Sequence, residues 1–411
     1  KTVMAALDYA RLRGRLPRAR LLFVAHRKEI LEQARDTFRA VLSDGSFGDL
    51  WVGGERPSRF EHVFASIQSI TAAGLSFLEP DHFDVVIIDE FHHAAARTYE
   101  SLLQHLNPRE LLGLTATPER SDGAPILTWF DNRIAAELRL WDAIDQHRLV
   151  PFSYYGVHDG TDLRDIPWKR GRGYEIDELN RLYTGNDVWA NLVLTHLRNK
   201  GPDYGSLKAL GFCVSVAHAK FMAHVFRRAG VPAIAVSATT PPNERRQALR
   251  DLEQGKLKVV FAVDLFNEGV DIPSVNTLLM LRPTDSALLF QQQLGRGLRR
   301  HEGKSICTVL DFVGQHRNEY RADRRLGALL QGTRLEIGEQ IKEGFPYLPA
   351  GCHMELDPVA RDLILRNLKQ SVPSRFSERV DELRGLARST GKDVSLADFL
   401  NHTGMDVEEL Y

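Results

Sequence analysis

Residues 83–88, "FDVVII", form an apolar run that ends in two adjacent acids, Asp89 and Glu90, followed by His92 and His93. A strand buried on both faces gains nothing structural from two carboxylates at its end. Hydrolysis of a nucleoside triphosphate, by contrast, needs a magnesium ion near the β- and γ-phosphates and a water aimed at the γ-phosphorus. One strand-end carboxylate can hold the ion, and its neighbour can accept the proton of the attacking water. The competing reading is that the two acids open the next helix, where the helix dipole favours negative charge. At the start of the chain, Lys1 and Thr2 precede a helical pattern. Such a pair is what remains of G-x-x-x-x-G-K-[ST] without its glycines, the lysine reaching the phosphates and the threonine the magnesium. By itself the pair has almost no specificity; its place upstream of Asp89, with strands between, gives it weight. "GLTATP" (residues 113–118) puts Thr115 and Thr117 where small hydroxyls could hydrogen-bond back to the acids, or simply make a turn.

Further along, "LFQQQLGRGLRRHEGKS" (residues 289–305) carries Arg296 and Arg299 three positions apart. They share a helical face if the helix continues. Two guanidiniums opposite a magnesium site could neutralise charge developing on a transferring phosphoryl group, as arginine fingers do. A solvated basic helix end is the alternative. The basic run continues through Arg300, Lys304, Arg317, Arg321, Arg324 and Arg325. It is a candidate patch for a nucleic-acid phosphate backbone, or a plain solvated face.

The elements that must position these groups alternate. Residues 3–13 are a helical pattern, 19–26 a short buried strand, and 27–42 a helix by apolar spacing of three and four. Strands are expected at 62–67, 83–88 and 110–116. Buried strands interleaved with helices indicate a parallel sheet covered on both faces, whose ligands collect at the carboxyl ends of the strands. A second series has strands at 207–216, 233–238, 257–264, 275–281 and 305–312, with helices at 217–229, 242–254 and 285–294. The fold class is therefore α/β, with two such domains in tandem. The first covers residues 1–150 and the second 186–331. Residues 151–185, rich in Gly and basic residues, are expected to be an irregular or hairpin connection. Residues 332–411 are expected to be a helical accessory segment, incomplete at its end.

The bulk numbers are compatible with this. The 411 residues are 43% hydrophobic and 26% charged, ordinary values for globular protein that exclude a disordered chain. No apolar run reaches the ~18 residues of a membrane span. A net charge of −1 requires any nucleic-acid site to be a local patch. The three cysteines, Cys213, Cys307 and Cys352, are far apart, which fits a reducing cytoplasm and neither a disulfide scaffold nor a zinc site.

In order along the chain, "KT", "AHRKE", "SIQS", "DEFHH", "TATPE", "FCVSVAHA", "FNEGVDIP" and "QQLGRGLRR" resemble the motifs of a superfamily 2 helicase of the DExH type. The likeness is to the DNA-acting branch of repair helicases and restriction-enzyme motors, and it spans residues 1–330. The resemblance implies two RecA-like domains with ATP between them and magnesium as cofactor. It matches Lys1 and Thr2 to the end of the phosphate loop, Asp89 to the magnesium-holding acid and Glu90 to the general base. His92 corresponds to the residue linking the nucleotide site to the second domain, where Gln292 would meet it. Thr115 and Thr117 match the coupling motif, Gly269 and Asp271 the loop touching nucleotide and nucleic acid, and Arg296 and Arg299 the fingers. His26, Arg27, Ser66 and Gln68 match backbone-gripping segments of the first domain; Ser215, His218 and Thr239 match those of the second. His93 matches nothing in the family pattern and is read as structural.

The glycine-rich part of the phosphate loop, whose N–H groups surround phosphates, does not precede Lys1. The chain is therefore expected to be a piece of a longer protein with further domains on both sides, itself binding ATP poorly and hydrolysing it slowly. The implied partner is nucleic acid, with DNA favoured by the resemblance, and the implied location is the cytoplasm. Two other functions stay open: the motor portion of a restriction or phage-defence enzyme whose nuclease lies elsewhere, and a nucleic-acid-binding scaffold with an inactive ATPase.

Overall fold

The computed structural model describes residues 1–91, 97–115, 127–169, 173–263, 272–317, 320–332, 334–370, 379–380, 383–384, 386–387 and 394–403. It comprises two compact units, Lys1–Ala136 and Glu137–Tyr411. Among the described residues no helix is long and apolar enough to cross a membrane.

The first unit is built on β1 (Leu21–Ala25), β2 (Asp49–Trp51), β3 (His62–Ser66), β4 (Val85–Asp89) and β5 (Glu110–Leu114). They lie in the order β2-β3-β1-β4-β5, all parallel. Strand residues alternate between faces, and the two cores show it. Leu21, Phe23, Ala25, Val85 and Ile87 pack with Ala5, Tyr9, Leu31 and Phe38 of the helices Thr2–Arg13 and Lys28–Leu42. Leu22, Val24, Val86 and Ile88 face the other way, toward Ile67, Ile70, Leu102 and Leu103 of the helices Ile67–Ala73 and Arg97–His105. Burial on both faces explains why β1 and β4 read as unbroken apolar runs.

The second unit has a seven-stranded parallel sheet made of β6 (Phe152–Asp162), β9 (Ala209–Phe212), β10 (Ala233–Val236), β11 (Val259–Ala262), β12 (Thr277–Met280), β13 (Cys307–Gln315) and β14 (His353–Leu356). Their order is β10-β11-β9-β12-β13-β6-β14. Two of these strands fall where the sequence suggested none. Residues 151–185, read as a connection, supply β6, which pairs with β13 on one side and β14 on the other. Its pattern, with Phe152, Tyr154 and Val157 buried and Ser153 and Tyr155 partly exposed, is broken by Gly156. That glycine is where Leu356 of β14 lies; a Cβ there would meet the Leu356 Cδ2 at 2.3 Å. The hairpin part of the expectation corresponds to β7 (Trp168–Lys169) and β8 (Gly173–Tyr174), which pair antiparallel. Residues 332–411, read as helical, do contain the helices Arg334–Glu343 and Pro358–Gln370 but also β14, too short to stand out by pattern.

Candidate functional site

Because the first sheet is all parallel, the carboxyl ends of its strands share one edge. β4 ends there in Asp89, which is 8% exposed. Glu90 follows with φ of +50°, a left-handed conformation that costs a non-glycine residue about 1–2 kcal/mol. The turn breaks the alternation that would otherwise send the two side chains to opposite faces. Its first link is the Glu90 N–H donating to the Asp89 Oδ1 at 3.0 Å. The Lys1 Nζ lies 3.3 Å from the Glu90 Oε1, so the start of the helix Thr2–Arg13 meets the end of β4. Burial raises the Asp89 pKa above the usual carboxylate range, while the nearby Lys1 lowers it and Glu90 raises it. An acid this buried and this close to another is costly unless a cation shares it. Among the described residues no cluster of three His, Cys, Asp or Glu is placed to hold a metal ion. The oxygen donors available, the Asp89 carboxylate and the Thr2 hydroxyl, suit magnesium, which keeps most of its waters and takes one or two carboxylates plus substrate phosphates.

Beside this point, β5 ends at Leu114 and Thr115 follows it, partly exposed. Gly113, paired with Ile88, leaves room for two rings: a Cβ there would meet Phe130 at 2.6 Å and Phe91 at 2.9 Å. His92, His93 and Thr117 lie outside the described residues, as do Gly269 and Asp271.

Of the candidate strand-gripping residues, His26 and Arg27 follow β1 at the same edge, the Arg27 Nε donating to the His26 Nε2 at 3.2 Å. Ser66 is buried and caps the helix Ile67–Ala73, accepting from the Ser69 N–H at 3.0 Å and donating to the Ser69 Oγ at 2.8 Å. Gln68 is exposed. In the second unit Ser215 likewise caps the helix Val216–Arg228, accepting from the His218 N–H at 3.0 Å and donating to Asn180. Thr239 is exposed in the turn three residues after β10 ends.

His218 departs from its expected role. It is 0% exposed, and its ring stacks on Tyr183 at 5.5 Å and contacts Trp189 at 5.4 Å. Its Nδ1 accepts from the Val214 N–H at 3.3 Å, and burial depresses its pKa to about 3. A neutral, enclosed imidazole offers nothing to a phosphate; it is a core residue.

The arginine pair also differs from expectation. The helix Ala287–Gly297, which carries Gln292 with part of its surface exposed, stops at Gly297. Arg296 is in its last turn, but Arg299 lies beyond it in an isolated antiparallel bridge with Leu149. The two are thus held by different elements. Glu90 belongs to the first unit and both arginines to the second.

Most of the basic run proves structural. Arg325, 5% exposed, pairs with Asp311, which also accepts from the Tyr154 hydroxyl. Arg321 makes a two-pronged pair with Asp323 at 2.7 and 2.9 Å. The Arg300 Nη1 donates to the His147 carbonyl at 2.9 Å and the Arg317 Nη1 to that of Ile166 at 3.3 Å. Spacing alone could not separate these from a solvated face, because their partners lie up to 153 positions away.

Residues 1–120 match the family model described as the Type III restriction enzyme, res subunit, and residues 203–301 that of the helicase conserved C-terminal domain. Together the two matches are consistent with a superfamily 2 helicase of the restriction-enzyme motor branch. It is 29% identical over 299 residues to a 51.5 kDa protein of a Lactococcus phage, covering 72% of this chain and 60% of the relative. It is 28% identical over 306 residues to the putative ATP-dependent helicase IRC3 of Saccharomyces cerevisiae, covering 71% and 43%. The chain thus spans about half the length of the curated relatives it matches. In structure it resembles the ATP-dependent Type ISP restriction-modification enzyme LlaBIII bound to DNA, with a TM-score of 0.59 at 14% identity over 89% of this chain and 30% of that one. Identity that low speaks to the fold alone, and that fold is a tandem of RecA-like units.

Proposed function

We propose that this chain is the motor of a nucleic-acid translocase that hydrolyses ATP to move along a DNA strand. The observation that carries the reading is the meeting of Lys1, Glu90 and the buried Asp89 at the end of β4, with 3.3 Å between ammonium and carboxylate. A lysine at a helix start and an acid pair at a strand end is the arrangement that binds a triphosphate and directs a water at it. Lys1 would contact the phosphates at the end of the phosphate loop; Asp89 and the Thr2 hydroxyl would hold magnesium, which when bound would offset the charge of the β- and γ-phosphates. Glu90 takes the proton of the attacking water. Arg296 and Arg299 neutralise charge on the phosphoryl group in the transition state. Thr115, Thr117, Gly269, Asp271, His92 and Gln292 couple the nucleotide state to the nucleic-acid grip. That grip is supplied by His26, Arg27, Gln68 and Thr239 and by the segments that Ser66 and Ser215 cap. Contacts to phosphates carry little sequence information, so any sequence can be tracked.

The test is Glu90→Gln in the full-length protein. Turnover falls by about 10²- to 10⁴-fold, the usual contribution of a general base, while ATP and single-stranded DNA still bind. Turnover that survives removes Glu90 from the role. Stimulation by single-stranded DNA and by RNA of equal length, compared at one salt concentration, distinguishes the two tracks. The match to a restriction-enzyme subunit model favours a second reading, in which the motor serves a restriction or phage-defence enzyme. A nuclease encoded in the same protein or operon decides that.

A further inference from the structure

Lys304 sits in the basic run yet is turned inward. A turn over residues 301–304, closed by the Lys304 N–H donating to the His301 carbonyl at 3.1 Å and with Gly303 at φ of +75°, folds it back. Its Nζ then donates to two backbone carbonyls, that of Arg299 at 2.8 Å and that of Pro273 at 3.0 Å. Pro273 lies two positions after Asp271, at the close of the loop read as touching nucleotide. From the other side Arg299 is bridged to Leu149, and the Val150 N–H donates to the Leu298 carbonyl at 2.8 Å. Burial lowers the Lys304 pKa to about 8, a measure of how far the ammonium has left water for these carbonyls.

We propose that Lys304 is a positioning residue for ATP hydrolysis: its ammonium clamps the carbonyls of Arg299 and Pro273 together and so sets where the Arg299 guanidinium can reach. The proposal rests on the reading of Arg299 as a transition-state group. A surface lysine would point its charge to solvent and bind phosphate; this one spends its donors on main chain. Arg299 has left the helix that holds Arg296, so its backbone is fixed by the bridge to Leu149 and by Lys304. Without the clamp the bridge still holds one side, and the segment loses register rather than unfolding. A group that acts only in the transition state affects kcat more than KM when misplaced, and small displacements are expensive in rate.

The experiment compares Lys304→Met, Lys304→Arg, Arg299→Ala and the double variant Arg299→Ala/Lys304→Met in the full-length protein, at saturating single-stranded DNA. Lys304→Met lowers kcat about tenfold and changes the KM for ATP less than about threefold. Lys304→Arg, which can donate to both carbonyls, recovers most of the rate. The double variant is no slower than Arg299→Ala alone, because the two act as a unit. Thermal midpoints are recorded for each, and kcat is expressed per folded molecule. If Lys304→Met folds poorly, Lys304→Gln, which keeps a donor for one carbonyl, shows an intermediate kcat. Two results overturn the proposal while leaving Arg299 in its role: a lowered midpoint with kcat unchanged, or losses that multiply in the double variant. If Arg299→Ala itself retains full turnover, the reading of Arg299 fails and the positioning role falls with it.

Discussion

At the residue scale, function and stability pull against each other at Asp89. Its pKa is raised by burial, so the folded state prefers the protonated acid. Whatever stability that preference contributes is complete below the unfolded-state pKa and is lost as pH rises through the folded-state value. At neutral pH the ionised side chain is therefore a burden in nucleotide-free protein. Asp89→Asn keeps an oxygen for the Glu90 N–H and removes the burden. Its thermal midpoint at pH 7 without magnesium rises by about 2–4 °C, the gain shrinks toward pH 4, and ATP turnover is lost. His218 shows the opposite sign. A base depressed to about 3 contributes stability above its ordinary pKa that drains away as pH falls. Unfolding free energy should drop by about 1.4 kcal/mol per pH unit below roughly pH 6 on its account. Denaturant titrations of wild type and His218→Asn at pH 7 and pH 5 measure the difference, and His218→Asn flattens the slope. Asp89 and Glu90 stand out in the sequence because acids after an apolar run are a local signal, whereas Lys1 gained weight only from its place upstream of them. It misplaced His218 because the rings enclosing it, Tyr183 and Trp189, come from the helices Ile176–Tyr183 and Asp187–Lys200, and nothing near His218 in sequence announces them.

At the scale of elements, the two glycines of "LGRGL" have unlike duties. A Cβ on Gly297 would meet the Cys307 Sγ at 2.4 Å and Leu278 at 2.9 Å, whereas nothing lies within 4 Å of a Cβ on Gly295. Gly297 lets the helix Ala287–Gly297 lie against β12 and β13; Gly295 is a helix-interior glycine facing open space. Gly297→Ala should destabilise the second unit by about 1–3 kcal/mol through overpacking. Gly295→Ala should stabilise it by about 0.5–1 kcal/mol, both read from denaturant midpoints. Gly113→Ala should act like Gly297→Ala but in the first unit, pressing on Phe91 and Phe130. Parallel strands and their flanking helices were legible at this scale because burial on both faces writes an unbroken apolar word. β6 was not, because Gly156 and its polar residues interrupt the word. β14 was not, because four residues are too few to show a period.

Across the whole molecule, each unit owns its core. One apolar cluster draws on residues 144–368, and the other two on residues 5–106. Calorimetry should resolve two unfolding transitions, Gly113→Ala lowering one and Gly297→Ala the other. A single transition displaced equally by both variants would contradict independent cores. The two-unit plan was readable from the repeat of the strand–helix series. The divide at Ala136 and Glu137 was not, since residues 137–150 read as the end of the first domain and residues 151–185 as a connection, and both belong to the second unit.

That start has a mechanical meaning. Trp141 is tied to the Leu329 carbonyl at 2.7 Å, and β6 then runs parallel to β13 along most of its length, with β14 on its other side at Ser153–Gly156. A tug along the chain from the first unit would load those inter-strand bonds in shear, many at once, instead of peeling them singly. The covalent tether between the two halves thus enters its anchor like a splinter driven along the grain. Strain arriving through it would be felt in β13, the strand reached next along the chain after Arg299 and Lys304.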